Sequence, residues 1–509
     1  MIRGLLSCSL ALSISSAAWA QAPAVREDVR ALEDQVQKVV RQTEPSLVSI
    51  VVSHAKYPAM VGDGAGRPGR LGRYIANNQL PNAIDKLDLA DPQNLPDHLF
   101  GSGLVLDSEG LILTPYHLVE GATKIYVRSS NAKGSYADFH AYDARSDLAV
   151  LKLIDPPAGL KPIRMGDVRI AEGPNGEKPT VAKGSFVLSM GHPQAAGAAD
   201  GSASVSFGVL SNVRRRAIGP REPEPKFRAL HHHGVLLQTD ARITLGCSGA
   251  ALLNFEGELI GITTPMAAVT GAETAGGFAI PMDANYRRII DALRMGKEVD
   301  YGYLGVVFDA EVGNSRLEGG LKISEVTPGT PAAAAGLVGN KDSRYGDSIV
   351  AVEGNPIKSH DDLFLYVGGA FAGTKVAMTL NRDGKTRTVD IYLAKYDHSL
   401  PWLATVKPPA VHGLRVDYGS VLIARAGLAK SGVPAGVFVR ELDPGSPAEA
   451  KFKALGETAN RWIITHVNGK SITTPLEFYR EAKGPDPIVL KLSDPTPNAV
   501  AANREIQIP

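Results

Sequence analysis

Apolar residues along this chain fall mostly into short runs separated by glycine, proline and charged turns. Leu47-Val-Ser-Ile-Val-Val52, Leu148-Ala-Val-Leu-Lys-Leu153, Phe186-Val-Leu-Ser-Met190 and Val205-Ser-Phe-Gly-Val-Leu210 are of this kind. Runs of that length bounded by turn residues read as β-strands. A helical period occurs near the start, where Val29, Leu32, Val36 and Val39-Val40 form one stripe among charged residues. This predicts an amphipathic helix over 27–42, ended by Pro45, and a second helix is expected over 282–293. The chain is predicted to be mostly β.

Two stretches break the strand pattern. Residues 55–98 are polar and punctuated by glycine and proline, an insertion that is either a functional loop or surface ornament. Residues 214–233 carry Arg214-Arg-Arg216 and His231-His-His233. The arginine run reads as a solvated loop. Adjacent histidines on a strand point to opposite faces, so three in a row do not converge on one ion, and no metal site is expected.

The C-terminal part repeats itself. Tyr303-Leu-Gly-Val306, Val326-Thr-Pro-Gly-Thr-Pro-Ala332 and Tyr345-Gly-Asp-Ser-Ile-Val-Ala-Val-Glu-Gly354 form one unit. His412-Gly-Leu-Arg-Val416, Leu442-Asp-Pro-Gly-Ser-Pro-Ala448 and Trp462-Ile-Ile-Thr-His-Val-Asn-Gly469 form a second. A duplicated domain is the expected reading.

Candidate chemistry centres on Gly246-Cys-Ser248-Gly-Ala-Ala251. Glycines around a serine let the backbone turn sharply and aim consecutive N–H groups into one space, the geometry an oxyanion hole needs. A serine hydroxyl becomes nucleophilic only beside a neutral imidazole, which in turn needs a carboxylate to fix its tautomer. His117, at the end of Gly110-Leu-Ile-Leu-Thr-Pro-Tyr-His117, and Asp147, at the mouth of an apolar strand, supply these groups. The chain order His, Asp, Ser is that of the chymotrypsin-like double barrel.

These segments together resemble the HtrA/Deg family of serine proteases. Gly101-Ser-Gly-Leu-Val-Leu106 resembles its opening strand, Leu113-Thr-Pro-Tyr-His-Leu-Val-Glu-Gly-Ala122 its histidine segment, and Ser146-Asp-Leu-Ala-Val-Leu-Lys152 its aspartate segment. Gln238-Thr-Asp-Ala-Arg-Ile-Thr-Leu-Gly-Cys-Ser-Gly-Ala-Ala-Leu252 resembles its serine segment, and Gly277-Phe-Ala-Ile-Pro281 the strand that closes its barrel. The resemblance implies a chymotrypsin/trypsin-like double β-barrel protease domain at 46–297, after a helical segment at 21–45, followed by PDZ domains at 300–397 and 408–509. It implies His117, Asp147 and Ser248 as catalytic residues, with the backbone N–H groups of Gly246 and Ser248 as the oxyanion hole. PDZ modules bind a peptide C-terminus at a glycine-bearing loop while the peptide adds as a strand. The implied positions are Leu304, Gly305 and Val306 in the first unit and Gly413, Leu414 and Val416 in the divergent second. If the loop over 266–277 lines the primary pocket, a small aliphatic side chain is the expected cleavage preference. Two departures stand out: Cys247 replaces the usual Asn, and Ala250 replaces a glycine, so its methyl is expected to constrain the cleft backbone. Cys247 is read as a small buried packing residue.

A length of 509 residues allows three or four domains, and a formal charge of +1 argues against nucleic-acid or anionic-membrane binding. Met1-Ile-Arg3, an apolar run and Ala18-Trp-Ala20 read as a cleavable signal peptide over 1–20, placing the mature protein in the periplasm or outside the cell. No other stretch reaches the roughly 18 apolar residues that a membrane span needs. The expected function is an endopeptidase acting on unfolded or damaged polypeptides, without metal or organic cofactor. The alternative is a protease-like scaffold that binds misfolded chains without cutting them. By family resemblance a homo-oligomer, a trimer or a multiple of one, is expected, and the apolar stripe at 29–40 needs something to cover it.

Overall fold

The computed structural model describes residues 27–54, 88–91, 100–130, 133–170, 172, 176–192, 202–215, 235–243, 247–264, 277–308, 320–341, 345–398, 400–425, 433–455, 462–483, 487–495 and 503–509. The signal segment, the 216–234 loop with its histidine triplet, the 265–276 loop and Gly246 lie outside the described residues.

The expected first helix forms as α1 (Glu27–Thr43), and a single turn containing Pro45 hands the chain to the sheet. Strands β1 (Leu47–Ser53), β2 (Phe100–Val105), β3 (Leu111–Pro115), β4 (Lys124–Ser129), β5 (Gly134–Asp143) and β6 (Leu148–Leu153) pair in the order β5-β4-β1-β2-β3-β6. Pairing of β5 with β6 returns the order to its start and closes the sheet. A second closed barrel, β10-β11-β12-β9-β8-β7, comprises β7 (Phe186–Gly191), β8 (Ser204–Arg215), β9 (Leu236–Thr239), β10 (Ala251–Leu253), β11 (Leu259–Thr264) and β12 (Gly277–Pro281). Every residue of β1, β3, β10 and β11 is buried, the pattern of strands covered on both faces. Four-residue α2 (Tyr116–Val119) follows β3, and α3 (Ala284–Arg294) follows β12. Asp283 caps α3 by accepting the backbone N–H groups of Asn285 and Tyr286.

The repeat read from sequence appears as two sheets of the same order. The first is β14-β15-β16-β18-β19, with β17 paired to β16. Its strands are β14 (Val306–Phe308), β15 (Leu321–Val326), β16 (Ser348–Val352), β17 (Asn355–Pro356), β18 (Lys375–Arg382) and β19 (Lys385–Tyr392). Short β13 (Gly302–Tyr303) and β20 (Ala394–Lys395) pair with each other. The second is β22-β23-β24-β26-β27, with β25 on β24. It comprises β22 (Leu414–Tyr418), β23 (Val437–Leu442), β24 (Ile463–Val467), β25 (Lys470–Ser471), β26 (Ile488–Ser493) and β27 (Asn503–Ile508). Helices α4 (Pro331–Ala334) and α5 (His360–Val367) occupy the same places in the first unit as α7 (Pro447–Lys453) and α8 (Pro475–Glu481) in the second. The second unit also carries α6 (Val421–Arg425), between β22 and β23.

Two features have no sequence precursor. Residues 402–404, between the units, form β21 (Trp402–Ala404) and add to the edge of β5. Within the 55–98 insertion, residues 88–91 dock on the first barrel: Leu89 is fully buried, and Arg128 Nη2 donates to Ala90 O at 2.9 Å. This piece of the insertion is anchored structure rather than ornament.

Candidate active site

The two barrels bring the three chemically marked residues together. His117 sits on α2, Asp147 in the turn between β5 and β6, and Ser248 just before β10. The His117 Nδ1–Asp147 Oδ2 distance is 2.7 Å and the His117 Nε2–Ser248 Oγ distance is 3.2 Å. Asp147 Oδ1 also accepts the backbone N–H of His117 at 2.9 Å, and Asp147 O accepts that of Tyr116. The carboxylate therefore holds both the ring and the main chain of the histidine. Asp147 is 2 % exposed and has φ +56°, a left-handed conformation that aspartate tolerates better than most residues.

Burial favours the neutral imidazole of His117, but the charge and hydrogen bond of Asp147, helped by Glu120, outweigh it and raise the pKa above its usual value. A histidine arranged in this way can take a proton from Ser248 Oγ and hold it against the carboxylate.

The serine turn is set by close backbone approach. Gly249 has φ +84°, and a Cβ there would lie 2.1 Å from Ser102 O. Ser102 N–H donates to Ser248 O at 2.8 Å, which ties the turn to β2 of the other barrel. Thr263 Oγ1 donates to Cys247 O and accepts the N–H of Ala250 at 3.0 Å. Cys247 is buried, as its reading as a packing residue expects. The methyl of Ala250, expected to constrain the backbone, is instead housed by Gly191 on β7.

Of the positions expected to bind a peptide, Leu304, Gly305 and Val306 lead into β14, an edge strand. Gly305 has φ +87° and lies against Thr330, where a Cβ would come within 2.2 Å. Along β14, Phe308 meets the His360 ring of α5 edge-to-face at 5.4 Å. Asp347, within the repeated segment at 345–354, is buried; it pairs with Arg382 and accepts the N–H of Val338. In the second unit Gly413, Leu414 and Val416 lead into edge strand β22, but Val416 N–H donates to Tyr479 Oη at 3.3 Å. Among the described residues no cluster of three or more metal-ligating side chains is present.

Sequence reasoning missed Asp143, Tyr301 and His398, which gather behind Asp147. Asp143 lies three residues before the motif at Ser146–Lys152, and nothing local marks its partners.

Residues 101–262 match the trypsin-like peptidase domain family, and residues 302–393 match the PDZ domain family. The chain is 30% identical over 321 residues to the serine endoprotease DegS of Haemophilus influenzae, covering 63% of this chain and 84% of the relative. It is 28% identical over 401 residues to the periplasmic serine endoprotease DegP of Escherichia coli, covering 77% and 73%. With the periplasmic pH-dependent serine endoprotease DegQ of the same organism it shares 28% over 456 residues, covering 87% and 86%.

Proposed function

The chain belongs to the HtrA/Deg family and is a serine-type endopeptidase, and from that premise we propose that it cleaves unfolded or damaged polypeptides in the periplasm. Ser248 Oγ attacks the scissile carbonyl as His117 Nε2 takes its proton, with Asp147 holding the imidazolium. The backbone N–H groups of Ser248 and Gly246 receive the oxyanion, His117 returns the proton to the leaving amine, and water releases the acyl group by the same route. The observation that carries this reading is the continuous relay Asp147–His117–Ser248, at 2.7 and 3.2 Å. No observation favours the non-cutting scaffold. A fluorophosphonate should label Ser248 and leave a Ser248→Ala chain unlabelled, and the same substitution should abolish turnover of casein. Casein turnover retained in Ser248→Ala overturns the assignment.

The first C-terminal unit is the proposed binder of peptide C-termini, through Leu304-Gly305-Val306 and the open edge of β14. The second unit's shared sheet order supports a second PDZ domain with Gly413, Leu414 and Val416 in the corresponding place. There Tyr479 already takes the N–H of Val416 that an added strand would use. We therefore assign peptide capture to the first.

Self-association is supported by an exposed aromatic triangle on the second barrel. Phe186, Phe207 and Phe255 have ring centroids 5.3, 5.4 and 5.9 Å apart, and Phe186 and Phe207 are 50% and 45% exposed. Gln35 of α1 bonds Phe255 O, and Val29 and Leu32 of α1 are also exposed. A homo-oligomer, with a trimer as the expected state, would cover this patch. Export to the periplasm rests on the names of the relatives and the apolar leader over 1–20.

A further inference from the structure

Only three residues separate Asp143, at the end of β5, from Asp147, and each position of that turn is gripped from behind. Asp143 is 1 % exposed. Its Oδ2 accepts the backbone N–H of Ser146 at 2.8 Å and the hydroxyl of Tyr301 at 2.5 Å, while Oδ1 lies 3.6 Å from His398 Nε2. Ala144 N–H donates to Pro401 O at 3.0 Å. The Arg145 guanidinium stands 4.3 Å from the Tyr301 ring centroid and 4.7 Å from that of Tyr396. Trp402, Leu403 and Ala404 then pair with Asp143, Tyr142 and Ala141, and Val406 N–H reaches Gly296 O at 2.8 Å.

The gripping residues come from outside the two barrels. Tyr301 lies just after α3, on the way into the first repeat unit. Tyr396, His398, Pro401 and Trp402 belong to a strap, described over residues 396–398 and 400–406, that runs from that unit towards the second. Tyr396 N–H donates to Tyr301 O at 2.8 Å, so the two passages are joined. On its front side the same turn presents Asp147, whose carboxylate and carbonyl both bond α2. Any shift of the turn therefore moves the carboxylate relative to His117.

We propose that Asp143 is a positioning residue for the Asp147 carboxylate, and that Tyr301 and the 396–406 strap hold it in place, so that docking of the strap sets how well His117 serves as base. This rests on the Ser248 reading above. Displacements of about 1 Å in a catalytic group cost up to roughly a hundredfold in rate, whereas substrate affinity is untouched by a group that never meets substrate.

The test uses the full chain and a short chromogenic peptide too small to reach the repeat units. Tyr301→Phe removes one hydroxyl and keeps the ring beneath Arg145; Asp143→Ala and Asp143→Asn remove or partly retain the acceptor. Tyr301→Phe is expected to lower kcat about tenfold with KM unchanged, and to slow fluorophosphonate labelling of Ser248 by the same factor. Asp143→Ala should lose more, Asp143→Asn should recover part of it, and Tyr301→Phe should add nothing further to Asp143→Ala, because both act through one contact. Unchanged kcat in Tyr301→Phe, a loss carried by KM, or full additivity of the pair would overturn the positioning role. A wild-type chain that the fluorophosphonate never labels would instead fail the Ser248 reading itself.

Discussion

A Cβ placed on Gly191 would lie 2.3 Å from the Cβ of Ala250, so the two positions share the volume of one methyl group. Ala250 is fully buried in the turn that follows Ser248, and the missing side chain on β7 makes room for it. Gly191→Ala should cost about 1–3 kcal/mol through overpacking. Adding Ala250→Gly should return part of that loss, the remainder reflecting the Ser102 Oγ that would still lie 2.9 Å from the new methyl. Urea denaturation of the two single variants and the double variant measures the coupling, and simple additivity would refute the shared volume.

The raised pKa of His117 sets a pH dependence. The base must be neutral to accept the serine proton, so kcat/KM on a small ester should fall on the acid side with an inflection above the ordinary 6.5. Asp147→Asn should drop kcat by roughly 10⁴-fold and move that inflection down, since the partner charge is gone. For stability the sign is opposite. The attraction between imidazolium and carboxylate contributes fully below the unfolded pKa and is lost as pH rises through the elevated folded value. An acid limb that stays in place in Asp147→Asn would argue against Asp147 as the source of the shift.

Lys395 is the buried centre of a charge cluster that joins three parts of the chain. Its Nζ lies 2.8 Å from Glu298, 2.7 Å from Asp300 and 2.8 Å from Asp417, and Arg440 also bonds Glu298 and Asp417. Burial disfavours the charged amine, but the three carboxylates outweigh it and raise the Lys395 pKa. Lys395→Met leaves those carboxylates facing one another and should cost about 3–5 kcal/mol near neutral pH. Calorimetry at lower pH should show a smaller loss, because protonation removes the repulsion. A loss that is equal at both pH values would mean that packing, not charge, is what Lys395 supplies.

The aromatic triangle gives a direct test of self-association. Phe186→Glu with Phe207→Glu places charge in a patch already exposed in the single chain, so the fold of each 53.8 kDa chain should survive. Light scattering should then report a mass near that of one chain, against a multiple for the wild type. An unchanged multiple would locate the contact elsewhere.

The alternation and periodicity of apolar residues, together with three separated chemical motifs, already pointed to α1, the strands at 47–53 and 186–191, the duplicated units and the approach of His117, Asp147 and Ser248. These were legible because helix and strand periods are local, and because a serine nucleophile needs a fixed set of partners whatever their distance along the chain. Tertiary structure alone decided that Gly191 accommodates Ala250, that Leu89 anchors part of an insertion, that Tyr479 takes the Val416 N–H, and that 402–404 become a strand. Tyr301 reaches Asp143 across 158 residues, and no local pattern marks either as the other's partner. Such contacts depend on where the path of the backbone leaves a donor, an acceptor or an empty volume, and that path is fixed only when the barrels close and the linkers dock.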